Sequence, residues 1–345
     1  KVYGNSDPIL TYTATGLVGS DSLAGSLTRA TGENVATYAI SSALVNPNYT
    51  ITYTGANLSI TARALTISAD AKSKIYGSSD PALSYAITSG SLIGGDSLTG
   101  ALTRANGTAV GSYAISSSLD AGANYLITYN SANLTITAAP LTITVDGGSK
   151  TYGATYSVGS GKTTFTTSGL LGSDSATSIT TASSGAIATA AVGSYTITGS
   201  LALGSGLSNY TISYVPGTLT ITAAPLTITA DNISKTYGAT YSDGSGKSTF
   251  TSTGLQNSES IGSITISASG GKSATDSVGS YNLVASAATG GTFSASNYQI
   301  TYASGTLTIT PKAITVVADA KSKVYGNPDP ILTYTATGLV GSDSL

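Results

Sequence analysis

Five copies of Lys-x-Tyr-Gly limit what this chain can fold into. They begin at Lys1, Lys74, Lys150, Lys235 and Lys323. Their tyrosines, Tyr3, Tyr76, Tyr152, Tyr237 and Tyr325, lie 73, 76, 85 and 88 residues apart. A nearly fixed period of this size marks an array in which one small unit is built repeatedly. Each unit is close to the lower size at which one core sustains a fold. Cutting before each LTI-type strand gives a truncated module at 1–63, full modules at 64–139, 140–224 and 225–311, and the first strands of another at 312–345.

Within a unit the periodicity is that of strands. In the second, ALTISAD (Ala64 to Asp70) alternates Leu65, Ile67 and Ala69 against Thr66 and Ser68, the pattern of a half-buried strand. AKSKIYGSSDP reads as a polar stretch and turn. ALSYAIT (82–88), LTGALTR (98–104), VGSYAIS (110–116), NYLITYN (124–130) and ANLTIT (132–137) read as further strands, with Asn106-Gly107 as a tight turn. NYxIxY followed by LxIT reads as a hairpin near the end of each unit, at 48–61, 124–137, 209–222 and 297–310. Its closing tyrosines are Tyr53, Tyr129, Tyr214 and Tyr302. The resulting class is all-β: tandem small β-sandwich (Ig-like) modules. Almost no linker separates them, and Pro140, Pro225 and Pro311 stiffen the junctions. An extended rod is expected.

The 22 tyrosines all fall at repeated places, and Phe165 and Phe250 stand where Tyr12 and Tyr85 do. With three Phe and no Trp, tyrosine is expected to supply most of the large apolar area of each core. An exposed, sugar-stacking tyrosine row is the alternative.

Composition removes most chemistry. There is no Cys or His, which takes away the usual nucleophiles and bases working near neutral pH. Glu33 and Glu259 are the only glutamates, so a pair of acids for general acid–base work is not evident, and no enzyme is expected. A net charge of -2 gives no footprint for nucleic acid. No apolar run reaches the roughly 18 residues of a membrane span. GSGKT (159–163) and GSGKS (244–248) resemble the tail of a phosphate-binding loop, but Tyr156 and Tyr241 replace the required first glycine. Glycine-rich hairpin tips are expected there. Asp70, Asp146, Asp231 and Asp319, with Asp7, Asp80 and Asp329, could offer oxygens to Ca²⁺ at the junctions, yet one or two per junction is few for an ion needing six to eight. Turn formation suits them better. Lys74, Lys150 and Lys235 repeat with Asn124, Asn209 and Asn297, but no recurring glutamate accompanies them to promote an isopeptide bond. N-x-[ST] occurs at Asn48, Asn57, Asn106, Asn133, Asn209 and Asn232.

Residues 323–345 repeat residues 1–23 with one difference, Pro328 for Ser6. The array is thus itself repeated. A window on a longer chain is expected, with donation of a strand from one chain to the next as the alternative.

K-x-YG-x-x-DP, L-x-x-x-DS-L-x-G-x-L-x-R, VG-x-YAI, NY-x-I-x-Y and LTIT-x-APLTI follow in order. The series resembles the MBG/YDG repeat modules of large bacterial surface proteins, many similar to filamentous-haemagglutinin-type adhesins. The resemblance implies an exported, non-enzymatic stalk or fibre at the bacterial cell surface. Its partners would be neighbouring modules of the same or identical chains, in a homopolymeric fibre, with glycan or host-surface binding as the alternative. The second half departs from the pattern, with KTYGATYS lacking the DP turn.

Overall fold

A computed structural model describes all 345 residues. They form β-strands and three single-turn 3-10 helices. The chain divides into two compact units. One comprises Lys1–Leu141, Gly169–Ser175 and Gly204–Ser213, the other Thr142–Ser168, Ala176–Leu203 and Tyr214–Leu345. The architecture is all-β, with small two-sheet modules in tandem.

The second repeat, in the first unit, shows the plan. Arg63–Ala69 lies between Tyr85–Ser89, antiparallel, and Tyr125–Asn130, parallel. The chain bends after Ala69 and re-enters the opposite sheet as Lys72–Ile75, parallel to Asn133–Thr137. That strand pairs with Gly111–Ser117, which pairs with Leu102–Arg104. Two segments, 63–75 and 125–137, therefore run side by side and cross together from one sheet to the other.

This corrects two expectations. NYLITYN and LTIT are not a hairpin, because they belong to opposite sheets. An arch sets their apolar faces against each other across a core, whereas a hairpin would leave both on one layer. The polar stretch AKSKI is also a strand, because its backbone completes the second parallel ladder.

The core centre is aliphatic. Leu65, Ile67, Leu134 and Ile136 are at most 1% exposed. Most tyrosines sit half-buried at the rims, and Tyr125 is the buried one of this repeat. Tyrosine therefore does not fill the centre, as composition alone suggested. Its hydroxyl needs a polar partner, and the rim supplies one.

The fourth repeat, in the second unit, repeats the plan. Ala224–Ala230 lies between Phe250–Thr253 and Tyr298–Ala303. The opposite sheet has five strands, in the order Ile233–Thr236, Gly305–Thr310, Gly279–Gly291, Ile261–Ala268 and Gly244–Lys247. The fifth is the GSGK insertion. It is an edge strand with a bulge, as is Gly159–Lys162 in the third repeat, and not a hairpin tip. Glycines at φ 119° and 73° (Gly159 and Gly161) let the backbone skip a residue and still pair.

The repeated lysine has two settings. In the second repeat, the Lys74 ammonium and the Arg104 guanidinium grip the two oxygens of Asp80 at 2.7 and 2.6 Å. Lys1, Arg29 and Asp7 form the same triad in the first. The third and fourth repeats lack the DP turn. There Lys150 donates to the carbonyls of Ala154 and Ile187, and Lys235 to those of Ala239 and Ser273. Burial without a counterion lowers the Lys150 pKa.

Two predictions follow from this packing. Leu134→Ala should destabilise the second repeat by about 2–5 kcal/mol, read as faster amide exchange confined to residues 63–137. Asp7 and Asp80 are held at about 2 against an ordinary 3.8, first by their arginines and then by their lysines. A lowered carboxyl pKa contributes stability that is complete above the unfolded value and lost as pH falls through the folded one. Between pH 4 and 2 exchange should therefore accelerate in the first and second repeats. The third and fourth, whose lysines meet carbonyls, should not share that step.

Candidate functional site

The parallel ladder that closes each repeat also aims the Lys-x-Tyr-Gly tyrosine. One residue beyond Lys72–Ile75, Tyr76 donates its N–H to Thr137. Tyr3, Tyr152 and Tyr237 do the same to Thr61, Thr222 and Thr310. Each ring is thereby fixed at the end of its repeat, where the next begins.

The next repeat answers with a second tyrosine and a carboxylate. Tyr3 packs edge-on against Tyr125, with ring centroids 5.5 Å apart and planes at 75°. Both hydroxyls donate to the same oxygen of Asp96, at 3.0 and 2.7 Å. Tyr76 and Tyr210 repeat this on Asp174, at 5.5 Å between rings and 2.9 and 2.7 Å to the carboxylate. Tyr152 and Tyr298 do so on Glu259, again 5.5 Å apart, with one phenol on each carboxylate oxygen. Edge-on rings place a positive rim against a negative face, and hydrogen bonds to an ionised acceptor are the stronger kind.

Two backbone devices complete the joint. The Asn before the second tyrosine reaches back: Asn124, Asn209 and Asn297 accept the N–H groups of Val35, Val110 and Val192 at 2.8–3.0 Å. The glycine after the first tyrosine is obligatory. Gly4 has φ +80°, and a Cβ there would lie 2.6 Å from the Ile93 side chain of the next repeat.

The other tyrosine landmarks serve within a repeat. Tyr53 and Tyr129 donate to the carbonyls of Ile40 and Ile115 across the sandwich, at 2.9 and 2.8 Å. Tyr214 and Tyr302 instead accept from the N–H groups of Ala202 and Ala288, both at 2.9 Å. The preceding Leu201 and Ala287 have φ 49° and 47°, so the strand turns an N–H, not a carbonyl, toward the ring. Tyr237 reaches Asp343 at 3.2 Å. Tyr325 is fully exposed.

Sequence reasoning thus found the first tyrosine of each joint and missed its partners. The missed residues are Tyr125, Tyr210 and Tyr298 with Asp96, Asp174 and Glu259. A signal was present: an acid precedes each second tyrosine by 29, 36 or 39 residues. The aspartates weighed as calcium ligands are used otherwise. Asp70 accepts the Ser84 hydroxyl, and Asp319 those of Thr333 and Thr335. No group of three or more acidic residues converges. Asn209 and its relative Asn297 are buried in joints, so the Asn209 sequon is closed to a glycan in the folded chain.

The MBG domain (YGX type) family matches residues 1–59, 65–135, 141–220, 226–308 and 314–345. The chain belongs to that family. It is a tandem-repeat region of the kind found in extracellular bacterial surface and adhesin proteins. No helix is long and apolar enough to cross a membrane. No curated protein matches the chain. Among solved structures, Drosophila N-cadherin EC1-4 aligns at 8% identity over 82% of this chain and 85% of that one, with a TM-score of 0.22. A Bacteroides ovatus mixed-linkage glucan utilization locus protein, SGBP-B, solved with a mixed-linkage heptasaccharide, aligns at 15% identity over 64% and 59%, with a TM-score of 0.12. The chain spans less than two thirds of the length of the latter.

The joints should be alkali-labile. Burial and the Glu259 carboxylate raise the Tyr298 pKa from 10.0 to about 12. The carboxylates, and after them burial, raise Tyr3 and Tyr76, while burial, and after it the carboxylates, raises Tyr125, Tyr152 and Tyr210. A raised phenol pKa means stability is complete below pH 10 and lost as pH rises toward 12. Phenolate absorbance should show these tyrosines ionising late, as the joints open. Tyr298→Phe, which leaves the ring but removes a bond to a charged acceptor, should cost about 1.5–3 kcal/mol.

Proposed function

We propose that these repeats form a mechanical spacer in a surface fibre, with the tyrosine–carboxylate–tyrosine joints as its stiffening elements. The observation that carries this reading is the recurrence of one joint chemistry at three successive junctions, Tyr3–Tyr125, Tyr76–Tyr210 and Tyr152–Tyr298. A ligand site would be expected to vary or to occur once. A structural connector must occur at every junction. Among the side chains that recur, the Lys-x-Tyr-Gly tyrosines Tyr3, Tyr76 and Tyr152 are consumed in bonds between neighbours.

Module limits at 64–139, 140–224 and 225–311 suit this reading. Apart from its first residue, each opening strand then pairs with a strand of its own module, as Arg63–Ala69 does with Tyr125–Asn130. Chains joined end to end would extend the spacer into a homopolymeric fibre.

Single-chain pulling experiments test the reading. Repeats should yield one at a time, and the triple variant Asp96→Ala, Asp174→Ala, Glu259→Ala should bend freely at its junctions while each repeat keeps its own unfolding force. Unchanged junction stiffness in that variant would defeat the proposal.

A further inference from the structure

Tension along the chain reaches an internal repeat at the two ends of its fold. In the second repeat it enters at Arg63, where the opening segment begins, and leaves at Thr137, where the closing segment ends. These are the segments that run side by side in parallel. Arg63 is paired with Tyr125 at one extreme, and Ile75 with Thr137 at the other. Pulling therefore draws the opening segment back past the closing one, along the strand direction. The bonds of a parallel ladder are evenly spaced and run across the strands, so such a pull strains all of them together. Drawing apart two residues paired at the same end would instead break them in turn.

Sliding is opposed from more than one side. The opening segment is the inner strand of its first sheet, held on its other side by Tyr85–Ser89. The closing segment is an inner strand of the second sheet, held on its other side by Gly111–Ser117. Moving either one disrupts two ladders. It also drags Leu65, Ile67, Leu134 and Ile136 out of the core they fill.

The extent of the paired ladders is kept where other parts of the repeat change. The second repeat has six paired positions in one sheet and four in the other. The fourth has six, Ala224–Thr229 with Tyr298–Ala303, and four, Ile233–Thr236 with Leu307–Thr310. The third keeps the four, Gly148–Thr151 with Leu219–Thr222. The GSGK strand that distinguishes the long repeats lies at the far edge of the sheet from this ladder.

We propose that the doubled parallel ladder is a force-bearing clamp, loaded in shear, that holds each repeat closed while the chain is under tension. The use of the clamp rests on the fibre reading, which supplies the tension. Its strength does not, because the joints act between repeats and the clamp within one.

Forced opening is governed by the unfolding barrier and not by equilibrium stability, so the signature of a clamp is resistance that depends on direction. The chain contains no cysteine, so pulling handles can be fixed at chosen pairs of positions. Ala64, Leu126 and Thr135 are exposed. In the 345-residue chain, Ala64→Cys with Thr135→Cys pulls along the strands. Ala64→Cys with Leu126→Cys pulls apart two residues paired across the ladder. The first pair should give way at several times the force of the second, with equal amide exchange in the two unloaded proteins. The same contrast should recur in the fourth repeat, between Pro225→Cys with Thr310→Cys and Pro225→Cys with Gln299→Cys. Equal forces in the two directions in either repeat would overturn the clamp and leave the spacer reading intact. Direction-dependent force in a chain whose junctions stay stiff after Asp96→Ala, Asp174→Ala and Glu259→Ala would uphold the clamp and defeat the spacer reading.

Discussion

The parallel pairing of the opening and closing segments of each repeat is the constraint on which the rest depends. Neither segment can bury its apolar face alone. Laid side by side, 63–75 and 125–137 satisfy each other's backbones twice, once in each sheet. The bend they share turns a single ribbon into a two-layer core. Because the second ladder ends at Ile75 and Thr137, the next residue, Tyr76, emerges at a fixed place and angle. The joint is thus a consequence of closing the repeat. A long loop must be closed to form these ladders, which costs entropy before any contact is gained. The near-absence of linker lets each closed repeat present the next opening strand directly: Thr137 is followed within two residues by Ala139–Val145.

The two kinds of repeat show what the plan tolerates. Short repeats brace the lysine with an aspartate and an arginine, and that arginine also lies over a tyrosine ring, 5.4 Å from its centroid for Arg104 and Tyr113. Long repeats give up this ion triad, add the GSGK edge strand and satisfy the lysine with carbonyls. An ion pair at a surface is worth little by itself, so exchanging it for backbone acceptors does not threaten the fold. The aliphatic positions allow no such freedom. Leu134, Leu219 and Leu307 are equivalent and all are 0% exposed.

Strand positions were legible where a side-chain period of two coincided with burial, as in Ala64–Ala69. Pairing was not. Tyr125–Asn130 and Asn133–Thr137 are adjacent in sequence and separated by two residues, which is the usual sign of a hairpin. Nothing in Ser131-Ala132 distinguishes an arch from a turn, since the choice is made by a strand sixty residues earlier. Lys72–Ile75 was hidden for a related reason: its side chains alternate only weakly, and its backbone pairing decides its state. In the joint, Lys-x-Tyr-Gly stood out because three residues repeat together at fixed spacing. Its partners were dispersed between the DS loop and the NY strand, and the change from Asp174 to Glu259 obscured their equivalence.

That change also shows why tyrosine, rather than a simple apolar residue, holds these junctions. Two phenols on one carboxylate fix distance as well as contact: an aliphatic patch between repeats could slide, but hydrogen bonds at 2.7–3.0 Å to Asp96 cannot. At the third joint the acid is one methylene longer and takes one phenol per oxygen, yet the rings keep the same 5.5 Å separation. The loop carrying the acid differs between repeats, at 29 residues before the tyrosine in one and 39 in another. What is held constant is the relation between the two rings. The acid adapts to its loop, and the paired tyrosines set the register from each repeat to the next.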